Sequence, residues 1–150
     1  MNDGLFYSMT PTTRLAPGEQ VIHAFTPDKG AYWRDHAWIA AVAMALGMAI
    51  LWAIGNPHVW TGAIGGLAAV AVRAFYVASD EMQARWDLTD RRLLGPQGRA
   101  VPLSEIATLR TLGSAVQVVT RGGDKHLLKY QADRNATRAR IEAAMSGASA

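Results

Sequence analysis

Four histidines, His23, His36, His58 and His126, are the side chains best suited to hold a metal or move a proton near neutral pH. They fall in four different segments, and no two of them stand at a spacing that brings ligands together on one helix or hairpin, so no metal site is expected. The 150-residue chain has no cysteine, which removes thiol catalysis, disulfides and thiolate metal centres. Ser104, Ser114 and His126 supply the residue types of a nucleophile and its base. The chain has neither the strand-turn-helix elbow nor the phosphate loop that would activate them, and the expectation is a protein that is not an enzyme and carries no cofactor. Gly62-x-x-Gly65-Gly66 lies in an apolar run, where helix packing explains it better than a dinucleotide does.

The remaining chemistry is cationic. The chain has 15 Lys and Arg against 12 Asp and Glu, net +3, but the excess is uneven: residues 82–150 hold eleven basic and six acidic side chains. Arg85, Arg91, Arg92, Arg99 and Lys125 are the candidate contacts for anionic lipid headgroups or an acidic partner. Thr89-Asp90-Arg91-Arg92 admits two readings. In one, Asp90 bonds backbone amides in a turn and the arginines are a solvated pair beside a membrane. In the other, the arginines meet headgroups. Nucleic-acid binders carry denser basic runs interleaved with aromatics, so no nucleic-acid partner is expected.

The elements that must position these cations begin with residues 37–72, which contain no Asp, Glu, Lys or Arg. That run is too long for one helix across a bilayer and is interrupted by Gly55-Asn56-Pro57-His58, so it predicts a transmembrane helical hairpin over 37–77, with helices at 37–55 and 59–76. Tyr32, Trp33, Trp38, Trp52, Trp60, Phe75 and Tyr76 stand where interfacial aromatics belong. A signal peptide would start near residue 1 behind a basic region, whereas 36 mostly polar residues come first. Gly62 with Gly66, and Ala43 with Gly47, give each helix a small-residue face for packing the two together, with a homo-oligomer or a partner helix as the other uses. Lys29, Arg34, Arg73, Arg85, Arg91 and Arg92 flank the hairpin while its tip is uncharged, so both termini of a multi-pass chain are expected in the cytoplasm. Twelve Arg against three Lys and frequent Ala hint at a GC-rich bacterial genome, and the membrane expected is then a bacterial inner membrane. With no ionisable residue but His58 between Ala37 and Val72, a channel or transporter has no candidate side chains.

Residues 1–36 form an N-terminal cytoplasmic tail with one candidate strand at 20–25, after the turn-rich Leu15-Ala16-Pro17-Gly18-Glu19. Beyond the hairpin the period changes to two. Trp86 and Leu88 alternate with Arg85, Asp87 and Thr89; Leu93-Leu94, Val101 with Leu103, and Ile106–Thr111 follow. Ala115–Thr120 and Lys125–Tyr130 then flank Arg121-Gly122-Gly123-Asp124, whose glycines suit a tight hairpin turn. Asp133 caps a helix running to Met145, with Arg138 and Glu142 paired at i, i+4, and residues 146–150 read as a flexible tail.

Strands closed by one C-terminal helix are the order of a pleckstrin-homology (PH) fold. The run Trp86-Asp87-Leu88-Thr89-Asp90-Arg91-Arg92-Leu93-Leu94, followed by Val101-Pro102-Leu103-Ser104-Glu105-Ile106, resembles the bacterial PH-like family over residues 82–145. The Leu-x-Pro-Gly-Glu segment followed by a hairpin resembles its small membrane-anchored members. The resemblance implies an α+β membrane protein, a transmembrane hairpin followed by a small antiparallel β-barrel or sandwich with a C-terminal helix. It also implies an interaction module serving as an accessory or assembly subunit of a larger membrane complex, photosynthetic or respiratory. The competing expectation is an anionic-lipid-binding or envelope-stress factor working through the basic face. The partners expected are the lipid bilayer and an integral-membrane protein or a second copy of the chain.

Overall fold

The structure, a computed structural model, describes residues 8–148. Residues 1–7 of the N-terminal tail expected over 1–36, and residues 149 and 150 of the C-terminal tail expected over 146–150, lie outside the described residues. The order is β1 (Val21–Phe25), α1 (Lys29–Ala53), α2 (Trp60–Glu81), β2 (Trp86–Thr89), β3 (Arg92–Leu94), β4 (Ala100–Pro102), β5 (Ile106–Leu112), β6 (Ala115–Thr120), β7 (Lys125–Leu128) and α3 (Arg134–Ala148). This is an α+β chain with two long apolar helices followed by antiparallel sheet and a C-terminal helix. It divides into two compact units: the residues up to Ala31 together with those from Asp80 onward, and Tyr32–Ser79.

In the first unit the strands form two antiparallel sheets, ordered β1-β2-β3-β4 and β5-β6-β7. The candidate strand at 20–25 is therefore an outer member of the first sheet, with Phe25 opposite Trp86 and Val21 opposite Thr89. The barrel is not closed: among the described residues no ladder joins β1 to β7, and a single backbone bond from Asp28 N–H to Tyr130 O (2.6 Å) bridges the chain just beyond both strands. One apolar cluster fills the space between the sheets, drawn from Phe25, Trp86, Leu88, Leu93, Val101, Leu103, Ile106, Leu109, Val116, Val118 and Leu128, with Ile141 of α3 fully buried against them. Trp86 and Leu88 face this core, as the alternation predicts, and Gly95 lets the indole lie on backbone, since a Cβ there would sit 2.5 Å from its ring.

Several boundaries differ from the sequence expectation, each for a local reason. Leu103 is buried but belongs to a 3₁₀ turn, Leu103–Glu105, rather than a strand. At the β6–β7 turn only Gly123, not Gly122, takes a positive φ. Lys125–Leu128 stops two residues short of Tyr130, which adopts a left-handed φ of 57°. Helix α3 runs to Ala148, so Ser146 and Gly147 are helical rather than a flexible tail, the Ser146 hydroxyl bonding the Glu142 carbonyl. Thr89, expected on the outer face, is fully buried because its hydroxyl is claimed by a polar cluster around Glu19.

Helix α1 begins eight residues earlier than the uncharged run. Asp28 caps it, accepting the Ala31 N–H at 2.9 Å, and the charges at Lys29, Arg34 and Asp35 are no obstacle to a helix. Helix α2 likewise continues past Tyr76 to Glu81. In the second unit the helices pack through small residues. A Cβ on Gly62 would collide with the Gly47 backbone, and one on Gly66 with the Ala43 backbone, so these pairs set the approach of the two helices. A Cβ on the neighbouring Gly65 would meet nothing within 4 Å. Near the base of the unit, Tyr32 donates its hydroxyl to the Ala74 carbonyl at 2.6 Å, and buried His36 hydrogen-bonds the Tyr32 carbonyl. Both helices are long and apolar enough to cross a membrane.

Candidate functional site

The Thr89–Arg92 turn is built around one carboxylate from the far side of the hairpin. Pro17-Gly18 turns the chain so that the Glu19 side chain, fully buried, points at the β2–β3 corner. Arg92 grips it with two nitrogens, Nε at 3.0 Å from Oε2 and Nη2 on Oε1, while the Thr89 hydroxyl donates to Oε2 at 2.7 Å. The Ala16 N–H adds 2.8 Å to Oε1. Thr89 Oγ1 in turn accepts the Arg91 and Arg92 N–H groups, and Arg92 reaches the Arg14 carbonyl at 2.9 Å. Beside this, Gln20 and Asp90 exchange two bonds of 3.1 Å, one to the Asp90 carboxylate and one between backbones. The Arg92 guanidinium, with help from Thr89 and Ala16, overcomes the burial penalty and holds Glu19 at a pKa of about 2. Glu19 raises that of Arg92 in return.

The five cations singled out from the sequence thus do different things. Arg92 is an internal tie. Arg85 is paired with Asp87 at 3.1 Å, and Arg91 is exposed, with Asp90 4.0 Å away. Arg99 and Lys125 are brought together: they wall one hollow of about 440 Å³ with Asp124, His126, Leu127 and Lys129. The His126 ring is held edge-on to Trp86, centroids 5.9 Å apart. Burial, and then the charge of Arg99, lower the pKa of His126, with Asp124 opposing them.

Lys129 is not among the residues that the sequence singles out, although period two along Lys125-x-Leu127-x-Lys129 places it on the same side as Lys125. Glu19 reads there only as part of a turn. Its partner is 73 residues away, and only the position of an acid within a Pro-Gly turn hints at it.

The groups considered for catalysis are spread apart. Ser104 is exposed in the Leu103–Glu105 turn. His126 pairs with Val118, four residues beyond Ser114, a separation of about 13 Å along a strand. His23 lies against Phe25, with centroids 4.7 Å apart, and burial followed by the charge of Arg140 lowers its pKa. No cluster of His, Asp and Glu among the described residues is arranged to hold a metal. No family model, curated protein or solved structure matches this chain.

Proposed function

We propose that the chain is a non-enzymatic, membrane-anchored interaction module of the bacterial PH-like kind, serving as an accessory or assembly subunit of a larger membrane complex. The observation that carries this reading is the surface of α1 and α2. Their closest backbone approach is made by glycine and alanine, and bulky residues are displayed outward: Trp52 is 75% exposed, Phe75 81% and Tyr76 85%. Large apolar side chains displayed along two 22- to 25-residue helices need lipid or the helices of another protein around them. Two sheets filled by one core and covered by α3 support the PH-like resemblance, with β1 supplying a strand from before the hairpin.

Support for a double crossing comes from the pairing of β1 with β2. These strands flank the hairpin in sequence, and flanks that share a sheet lie on one side of a bilayer. The excess of basic residues in the flanks supports the cytoplasm as that side. Asn56→Cys should then react with an impermeant maleimide in spheroplasts while Ser149→Cys should not; the reverse labelling would overturn the orientation. Purification of the full chain in mild detergent tests the assembly role. A stoichiometric integral-membrane partner is the expected result, and recovery of the chain with lipid alone would favour the lipid-binding alternative.

A further inference from the structure

We propose that the hollow walled by Arg99, Lys125, His126 and Lys129 is a phosphate-binding site. Its cations come from two separate elements: Arg99 follows the Pro96–Gly98 turn, whereas Lys125 and Lys129 stand at the start and just past the end of β7. Three cations face Asp124 as the carboxylate among the lining residues, and like charges brought together this way are unfavourable until an anion joins them. Their existing ties are light. Arg99 reaches Gln97 Oε1 at 3.3 Å, and Lys129 stands 3.7 Å from Glu81 at its nearest oxygen.

A tetrahedral phosphate presents oxygens in several directions and suits donors converging from different elements; a planar carboxylate is matched best by a single guanidinium fork. The about 440 Å³ of space admits a phosphate with an ester substituent. The His126 ring, fixed against Trp86, adds a neutral donor at the wall. Burial and Arg99 lower its pKa, which favours the neutral ring, and an arriving anion would oppose that shift as Asp124 does. The same chemistry is offered by a phospholipid headgroup and by a soluble phosphate ester. The site does not depend on the assembly role, because it uses only side chains of the sheet unit.

The test follows the His126 ring resonances of the full chain in a nonionic detergent while inorganic phosphate is added. Phosphate should move the His126 titration to higher pH, and Arg99→Gln with Lys125→Gln should weaken binding about tenfold or more. Arg110→Gln with Arg138→Gln removes the same charge elsewhere and should leave binding unchanged. An unmoved His126, or equal weakening by both pairs, would overturn the proposal. Trp86 near-ultraviolet dichroism checks that each variant is folded. Nanodiscs then separate the sources: a His126 shift caused by phosphatidylglycerol in the bilayer without added phosphate assigns the headgroup, and a shift only with added glycerol phosphate assigns a soluble ester.

Discussion

The two units of the chain solve opposite packing problems. In the sheet unit, bulky apolar side chains converge on one another, and a charged cluster ties the surface segments at its corner. In the hairpin unit the smallest residues set the closest approach, and most of the large ones, Trp38, Trp52, Trp60 and Tyr76 among them, are exposed. Burial from water stabilises the first, whereas the second relies on backbone approach and on whatever surrounds it. The same substitution, adding or removing side-chain volume, should therefore have opposite consequences in the two.

Trp86→Ala should have the largest effect, destabilising the sheet unit by about 3–5 kcal/mol, because it opens a cavity beneath Gly95 and beside His126. Hydrogen exchange at Leu93 and Leu94 in the full chain measures it. A fragment starting at Met82 would lack β1 and Glu19 and is the wrong host. Glu19→Gln should cost about 2–4 kcal/mol, less than a wholly buried pair because Arg92 keeps some contact with water. The same carboxylate sets an acid limit. Its folded pKa of about 2 lies below the ordinary 4.5, so its stabilisation is complete above pH 4.5 and is lost as pH falls towards 2. Acid titration followed by the tryptophan signal should show that slope in the wild type and lose it in Glu19→Gln.

In the hairpin the comparison sharpens on two neighbouring glycines. Gly62→Val should separate the helices at a cost of about 1–3 kcal/mol, whereas Gly65→Val, with open space beside it, should be nearly silent. Thermal unfolding of the two variants in the same detergent reads the difference. Arg91→Ala should be the smallest, within about 0.5 kcal/mol, since its side chain is exposed and its pairing with Asp90 is loose. An effect comparable to that of Glu19→Gln would mean that the corner is organised around Arg91 instead.

What can be read from the sequence follows the range of the interactions. The hairpin is legible because absence of charge over residues 37–72 is a local property, yet its first helix begins at Lys29, since charges near a helix end leave no trace of where the helix starts. The inward register of Trp86 and Leu88 comes from alternation alone. Thr89 breaks that alternation because its partner, Glu19, is 70 residues away. Arg92 looks like Arg91 in sequence, and only that same distant carboxylate separates an internal tie from an exposed cation. Lys129 is within reach of period two, but apolar spacing along that strand draws attention away from its charges.

The pairing of β1 with β2 also imposes an order in time. Gln20 and Asp90 are 70 residues apart, so during synthesis the first strand must wait until the whole hairpin and the second strand have left the ribosome. Until then Val21–Phe25 has an unsatisfied ladder edge on both sides, and the Glu19 carboxylate has no guanidinium. Completion of the first sheet is thus a late event that waits on both flanks of the helical hairpin. On the double crossing proposed above, a chain whose second helix failed to return would hold β1 apart from β2, leaving the first sheet one strand short and the β2 edge unpaired on that side.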